Sequence, residues 1–203
     1  MNNAINKTGR NRRKRLGQTL VEFTFVGIPI IFILISIFEV SRGMWIYHTL
    51  AYSAKIGVRY ASVHGINCIG STVNAKLQNP NNCAVNMGPA SAPSAGTLPS
   101  IAYVIRQAAV GLDPLKTTVT FNASGTITTC NLDVSGGTSA CPATVWPPYD
   151  STGVSTVDYV GEPIRIDITT PFSSAIAMLW PGAKVVRFAS GTLGATSQDY
   201  VQF

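Results

Sequence analysis

Sixteen consecutive residues, 23–38, carry no charge, and the apolar segment around them runs from Thr19 to Val40. A helix needs about 20 predominantly apolar residues to cross a bilayer. A globular core helix is usually apolar along one stripe only. A run that is apolar on all sides, with a basic tail at its edge, predicts a membrane span. Residues 1–17 hold six bases (Lys7, Arg10, Arg12, Arg13, Lys14, Arg15) and no acid. Bases stay on the cytoplasmic side, so the N-terminus is expected inside and the chain beyond about residue 42 outside. A cleaved signal peptide has an apolar core of about 7–15 residues followed by a small-x-small site. Here the core is longer, and Glu39, Arg42, Met44 and Trp45 follow it. The nearest small-x-small triplet, Ala51-Tyr52-Ser53, lies far downstream, which favours a retained anchor.

Charge narrows the class further. Removing the six tail bases from the chain's 15 leaves nine bases against nine acids, so the net charge of +6 belongs to the tail. Nucleic-acid binding needs bases spread over a folded face, and that reading is set aside. Charged residues make up only 12% of the 203, which argues against a cytosolic enzyme, and 46% apolar content argues against a disordered chain.

Two residues in the span stand out. Pro29 lacks an amide hydrogen and is expected to bend or loosen the helix near residue 25. Glu22 sits near the cytoplasmic end, where a carboxylate favours the helix dipole. The residues before it suggest more. Arg13-Lys14-Arg15-Leu16-Gly17, then Gln18-Thr19-Leu20-Val21-Glu22-Phe23 and a long apolar helix, resembles the processing site of type IV prepilins. The resemblance implies that a prepilin peptidase cuts between Gly17 and Gln18, making Glu22 the fifth residue of the mature chain. The first mature residue is often Phe, so Gln18 departs from the pattern.

The likeness sharpens downstream. Val21-Glu22-Phe23, Pro29, Glu39 with Arg42, and Gly57-Val58-Arg59-Tyr60-Ala61 are similar to the corresponding features of TadE-like proteins of the tight-adherence (Tad, or Flp) pilus system. This implies a pseudopilin or minor-pilin-like membrane component of pilus biogenesis that supports assembly and adhesion. Its implied partners are the prepilin peptidase, other Tad pilins or inner-membrane assembly proteins, and membrane lipid. It would sit in the inner membrane with a periplasmic head, or ride in a filament. Glu22 and Phe23 are the implied assembly residues. The resemblance implies that in a filament Glu22 meets the α-amine of a neighbouring subunit.

Residues 43–64 continue the helix by period. Tyr47, Ala51, Ala54, Val58 and Ala61 form a mostly small apolar stripe. A helix from 18 to 63 would span about 69 Å, far more than a bilayer. Residues 65–97 read as irregular, Asn, Pro, Gly, Ser and Ala dominating from 79 to 97. Thr97 is the expected cap of a following helix, with Pro99 in its first turn. Ile101, Ile105, Ala108 and Leu112 give that helix one apolar face, and Gly111 and Pro114 stop it. Val119, Phe121 and Ala123 alternate with polar residues, as do Ile164, Ile166 and Ile168. Residues 185–190 are a further strand candidate, and 135–148 read as loop. Residues 65–203 are long enough to bury their own core. The expected class is α+β, with a long N-terminal transmembrane helix extended into a small antiparallel-sheet, pilin-like head. Its parts are a leader over 1–17, a span over 18–42, a helix extension over 43–64 and an extracytoplasmic head over 65–203.

Cys68, Cys83, Cys130 and Cys141 all lie beyond the span. An oxidising compartment allows disulfides, in three connectivities. The local one, Cys68–Cys83 and Cys130–Cys141, closes loops of about a dozen residues. No two cysteines have the two-to-four-residue spacing of a zinc site, so no metal is expected. His48 and His64, the only histidines, are sixteen apart. No Walker loop, nucleophile elbow, HExxH or GxGxxG occurs, so neither an enzyme nor a cofactor is expected. Asp167, alternating with isoleucines, should face solvent or pair with Arg165. Asn122-Ala123-Ser124 reads as a turn. An anchored extracytoplasmic binding or adhesion module unrelated to pili is the alternative.

Overall fold

The computed structural model describes residues 8–64, 85–95, 97–134, 137–147, 161–173 and 190–202. The chain divides into two compact units, Met1–Arg42 and Gly43–Phe203. One helix, α1 (Thr8–Val63, 56 residues), runs through both. It starts ten residues before Gln18, so part of the basic tail is helical. It also continues without a break through Pro29.

In the second unit the order is α1, α2 (Ile101–Ala108), β1 (Thr118–Ala123), β2 (Thr126–Asn131), β3 (Pro163–Ser173) and β4 (Ser190–Tyr200). The four strands form one antiparallel sheet in the order β2-β1-β3-β4. This is the α+β arrangement expected from the sequence. The alternating strands bury one face each. Val119 pairs with Ile168, Phe121 with Ile166 and Ala123 with Ile164, and all six are essentially inaccessible. Their outward neighbours are polar, and Arg165 Nε donates to Asp167 Oδ1 at 2.9 Å. Asp167 thus pairs with Arg165 on the outer face. Thr196 also donates to it.

The inner face carries α1. Leu50, Ser53, Ala54, Gly57, Val58, Ala61 and Ser62 are buried, the three- and four-residue spacing of one helical stripe. Ala54, Val58 and Ala61 were legible in the periodicity. Tyr47 was misplaced: it is exposed, and Leu50 rather than Ala51 is the fully buried residue at that level. The closest approach is at Gly57. A Cβ there would lie 2.6 Å from Ile105 Cγ1 and 3.4 Å from Ile166 Cδ1. Gly57→Val is therefore expected to overpack the contact and destabilise the head by about 1–3 kcal/mol. Lys55→Val, on the exposed side, should stay within about 0.5 kcal/mol. Denaturant titration of the detergent-solubilised full chain reads both.

Helix α2 begins later than expected. Ser100, not Thr97, caps it: Ser100 Oγ accepts from Tyr103 N at 3.2 Å, and Pro99 lies before the helix. The first two amides of α2 are taken by an irregular segment, Ile101 N donating to Asn86 O and Ala102 N to Met87 O. Initial helical amides lack intrahelical acceptors, so this pairing satisfies them and fixes the segment at once. The face expected from Ile101 and Ile105 is buried, and Leu112 packs against the same core.

Strand β2 was not anticipated. It is Thr-rich and mostly exposed, as a polar edge strand can be. A two-residue turn joins it to β1, with φ of 46° at Ser124 and 84° at Gly125. Positive φ at both central residues matches the right-handed twist of a hairpin. Asn122 and Ala123 close β1 and only Ser124 enters the turn, so most of the expected turn is strand. The strand candidate over 185–190 lies outside the described residues except for Ser190, where β4 begins. The segment read as loop over 135–148 contributes to the core. Trp146 is 2% exposed and packs edge-on against Phe121, with ring centroids 5.2 Å apart. Trp146 N also donates to Val85 O, and Met87 N to Thr144 O.

Cys130 and Cys141 form a disulfide with Cα atoms 4.8 Å apart, tying the end of β2 to this segment. Cys68 and Cys83 lie outside the described residues. Replacing Cys130 and Cys141 together by Ala is expected to remove about 3 kcal/mol from head stability, the entropic worth of a loop of this size. Comparing thermal unfolding of the variant and the parent under non-reducing conditions measures it; equal midpoints would contradict it.

Candidate functional site

The segment of α1 that distinguishes this chain is its apolar part. A helical stretch long and apolar enough to cross a bilayer lies within Gln18–Val63, and none of its most apolar window is buried. Ile31, Phe32, Ile33 and Leu34 are all exposed, and four consecutive helical residues, about 100° apart, point to every side of the helix. An apolar surface this extended marks a membrane or a protein contact. The polar side chains within it are satisfied locally. Thr24 Oγ1 donates to Leu20 O, Ser36 Oγ to Phe32 O and Ser41 Oγ to Ile37 O, each at 2.8 Å. Such back-bonding lets hydroxyls sit in an apolar medium without an unpaired donor.

At the entry to this segment the helix brings two of the expected residues together. Gln18 Nε2 donates to Glu22 Oε1 at 3.2 Å, one turn apart. In the chain as it stands the Gln18 nitrogen is a peptide nitrogen, so the side-chain amide supplies the contact. The four-residue spacing made this pair legible in principle. Phe23, next to Glu22, is exposed. Gly17 lies within α1. At the far end Glu39 is buried and Arg42 exposed.

Elsewhere His64 and Tyr60 make structural contacts. His64 Nδ1 donates to Tyr60 O at 2.8 Å. Tyr60 Oη donates to Pro99 O at 2.9 Å, and burial pushes its phenol up from the ordinary value. A tyrosine held protonated in this way ties the end of α1 to the approach of α2. Among the described residues no group of three His, Cys, Asp or Glu could hold a metal. Two depressions, of about 200 and 260 Å³, flank the two ends of α2. The first holds Arg106 as its one ionisable side chain, and the second holds none.

The geometry of interest is thus a basic entry, a Gln18–Glu22 pair and an apolar helix continuing into a small-residue stripe. Comparison with protein families singles out that stretch. Residues 17–59 match the family model of TadE-like proteins. The TadE-like segment begins at Gly17, contains Glu22 and Pro29, and ends within the stripe that packs on the sheet. No curated protein and no solved structure matches the chain.

Proposed function

We propose that this chain is a pseudopilin or minor-pilin-like membrane component of Tad pilus biogenesis. The observation that carries the reading is the TadE-like segment over 17–59, coincident with a helix whose apolar part is exposed on all sides. In this reading residues 1–17 are a cytoplasmic leader, and prepilin peptidase cuts between Gly17 and Gln18. Residues 18–42 cross the inner membrane. The head beyond lies in the periplasm, where Cys68–Cys83 would join Cys130–Cys141 as a second disulfide. Its partners are other Tad pilins or inner-membrane assembly proteins.

Cleavage changes the chemistry at Gln18. The new α-amine carries a positive charge one turn from Glu22, and that turn is frayed. Glu22 can then serve the amine of a neighbouring subunit while Gln18 keeps its side-chain contact. The experiment is complementation: a strain lacking this chain should lose surface pili, and the full chain supplied in trans should restore them. Normal piliation without the chain would refute the reading and leave an anchored adhesion module.

A further inference from the structure

Past Arg42, α1 stays helical, and Trp45 stands three residues on, about 4.5 Å along the axis. The polar layer on each side of a bilayer is about 5–7 Å deep. A span that ends near residue 42 therefore places Trp45 at headgroup depth, where tryptophan is enriched. Its side chain is half-exposed, and it does not stand alone. A Cβ on Gly111 would lie 2.4 Å from Trp45 Cη2, so the connection between α2 and β1 runs directly against the indole. Gly111 has φ of +81°, so both its backbone and its surroundings exclude a side chain.

The same connection presents two large apolar side chains to solvent, Val110 at 66% and Leu115 at 62% exposure. They stand on a fixed loop. Asp113 Oδ1 accepts from Leu115 N at 3.1 Å, and the Asp113 carbonyl accepts from Lys116 N and Thr117 N. Lys116 Nζ pairs with Asp113 at 3.3 Å, so the loop brings no uncompensated negative charge toward a lipid surface.

We propose that the 110–116 connection is a second membrane-contacting element. Val110 and Leu115 insert at the outer headgroup layer beside Trp45. The occupant is lipid. The argument is continuity: the loop touches the residue that the span itself carries to headgroup depth. Isolated exposed apolar residues are ordinary on protein surfaces. Two on one fixed loop, against an interfacial tryptophan, form a patch in register with the membrane. The proposal rests on the membrane-anchored reading of α1.

The test uses the full chain reconstituted in phosphatidylcholine–phosphatidylglycerol vesicles. Leu115→Trp, Val110→Trp and Ile127→Trp are compared with the parent, and the fluorescence each adds is followed with acyl-brominated lipid and with aqueous iodide. All three sites are exposed, so the substitutions are compatible with folding. Ile127 lies on the polar outer face of the sheet and serves as control. The expected result is quenching of the added signal at 115 and 110 by brominated lipid, with several-fold protection from iodide, and the reverse at 127. An added signal at 115 and 110 as open to iodide as that at 127 overturns the proposal. So does a signal shielded from both quenchers, which would mean that protein covers the loop. Flotation of the parent with the vesicles checks the anchor separately: a parent that does not float refutes the span, whereas a floating parent with an iodide-open loop refutes this inference alone.

Discussion

Phe121→Ala is expected to destabilise the head by about 3–5 kcal/mol, the usual range for removing a buried aromatic ring. Phe121 is inaccessible to solvent and sits at the centre of β1, the strand flanked by β2 and β3. It is opposite Ile166, and its ring meets the edge of Trp146. The substitution therefore creates a cavity where the sheet and the returning 137–147 segment converge. Trp146 also loses its aromatic partner, worth about another 0.5–1.5 kcal/mol. Domains of this kind have roughly 5–15 kcal/mol in total, so a large share of the stability would go. Pulse proteolysis of the full chain in detergent across a urea series should show the head's midpoint falling by about 1 M or more. A midpoint within about 0.2 M of the parent would contradict the core assignment. The apolar part of α1 should remain protected in either case, because it does not depend on the sheet.

The second large effect is expected at Glu22. Glu22→Ala removes the acceptor of the Gln18 amide and, in the proposed filament contact, the partner of a neighbour's α-amine. In an apolar surrounding, removing one member of an ion pair leaves the other unpaired at a substantial energetic penalty. Membrane insertion should be unchanged or improved, since a charge leaves the span, and the Cys130–Cys141 bond should be unaffected. Assembly should fail, with surface pili falling well below parental numbers at equal protein level. An acid that only favours the helix dipole is worth about 0.3–1 kcal/mol and predicts almost no phenotype. Normal piliation in the Glu22→Ala strain would leave Glu22 that lesser role.

The features legible in the sequence were those with a strong local cause. Isoleucine alternation at 164, 166 and 168 could satisfy only a half-buried strand. Phe23 to Phe38 was too apolar for one face of a helix. Cys130 and Cys141 were close enough in sequence for a local bond, and they make one. Features set by distant neighbours escaped. Strand β2 has few apolar residues, and its place comes from the positive-φ Ser124-Gly125 turn and from hydrogen bonding to β1. Strand β4 contains Gly191 and Gly194, which weaken strand propensity, and β3 supplies its register. Trp146 sits in a Pro- and Ser-rich stretch, so its burial against Phe121 had no local signal. Ser100 displaced Thr97 as the cap because the residues around Asn86 receive the helix start at that point. At the candidate site the Gln18–Glu22 spacing could be read directly. The contact of Trp45 with Gly111 could not, since it joins residues far apart in sequence.

Processing is the central claim, and intact mass with N-terminal sequencing tests it most directly. The protein is purified from wild-type cells and from cells lacking the prepilin peptidase. The account predicts a chain beginning at Gln18 in the first and a full-length chain, about 2 kDa heavier, in the second, with Gly17→Leu giving the heavier form in both. A wild-type chain that retains residues 1–17 while the peptidase is active would contradict it.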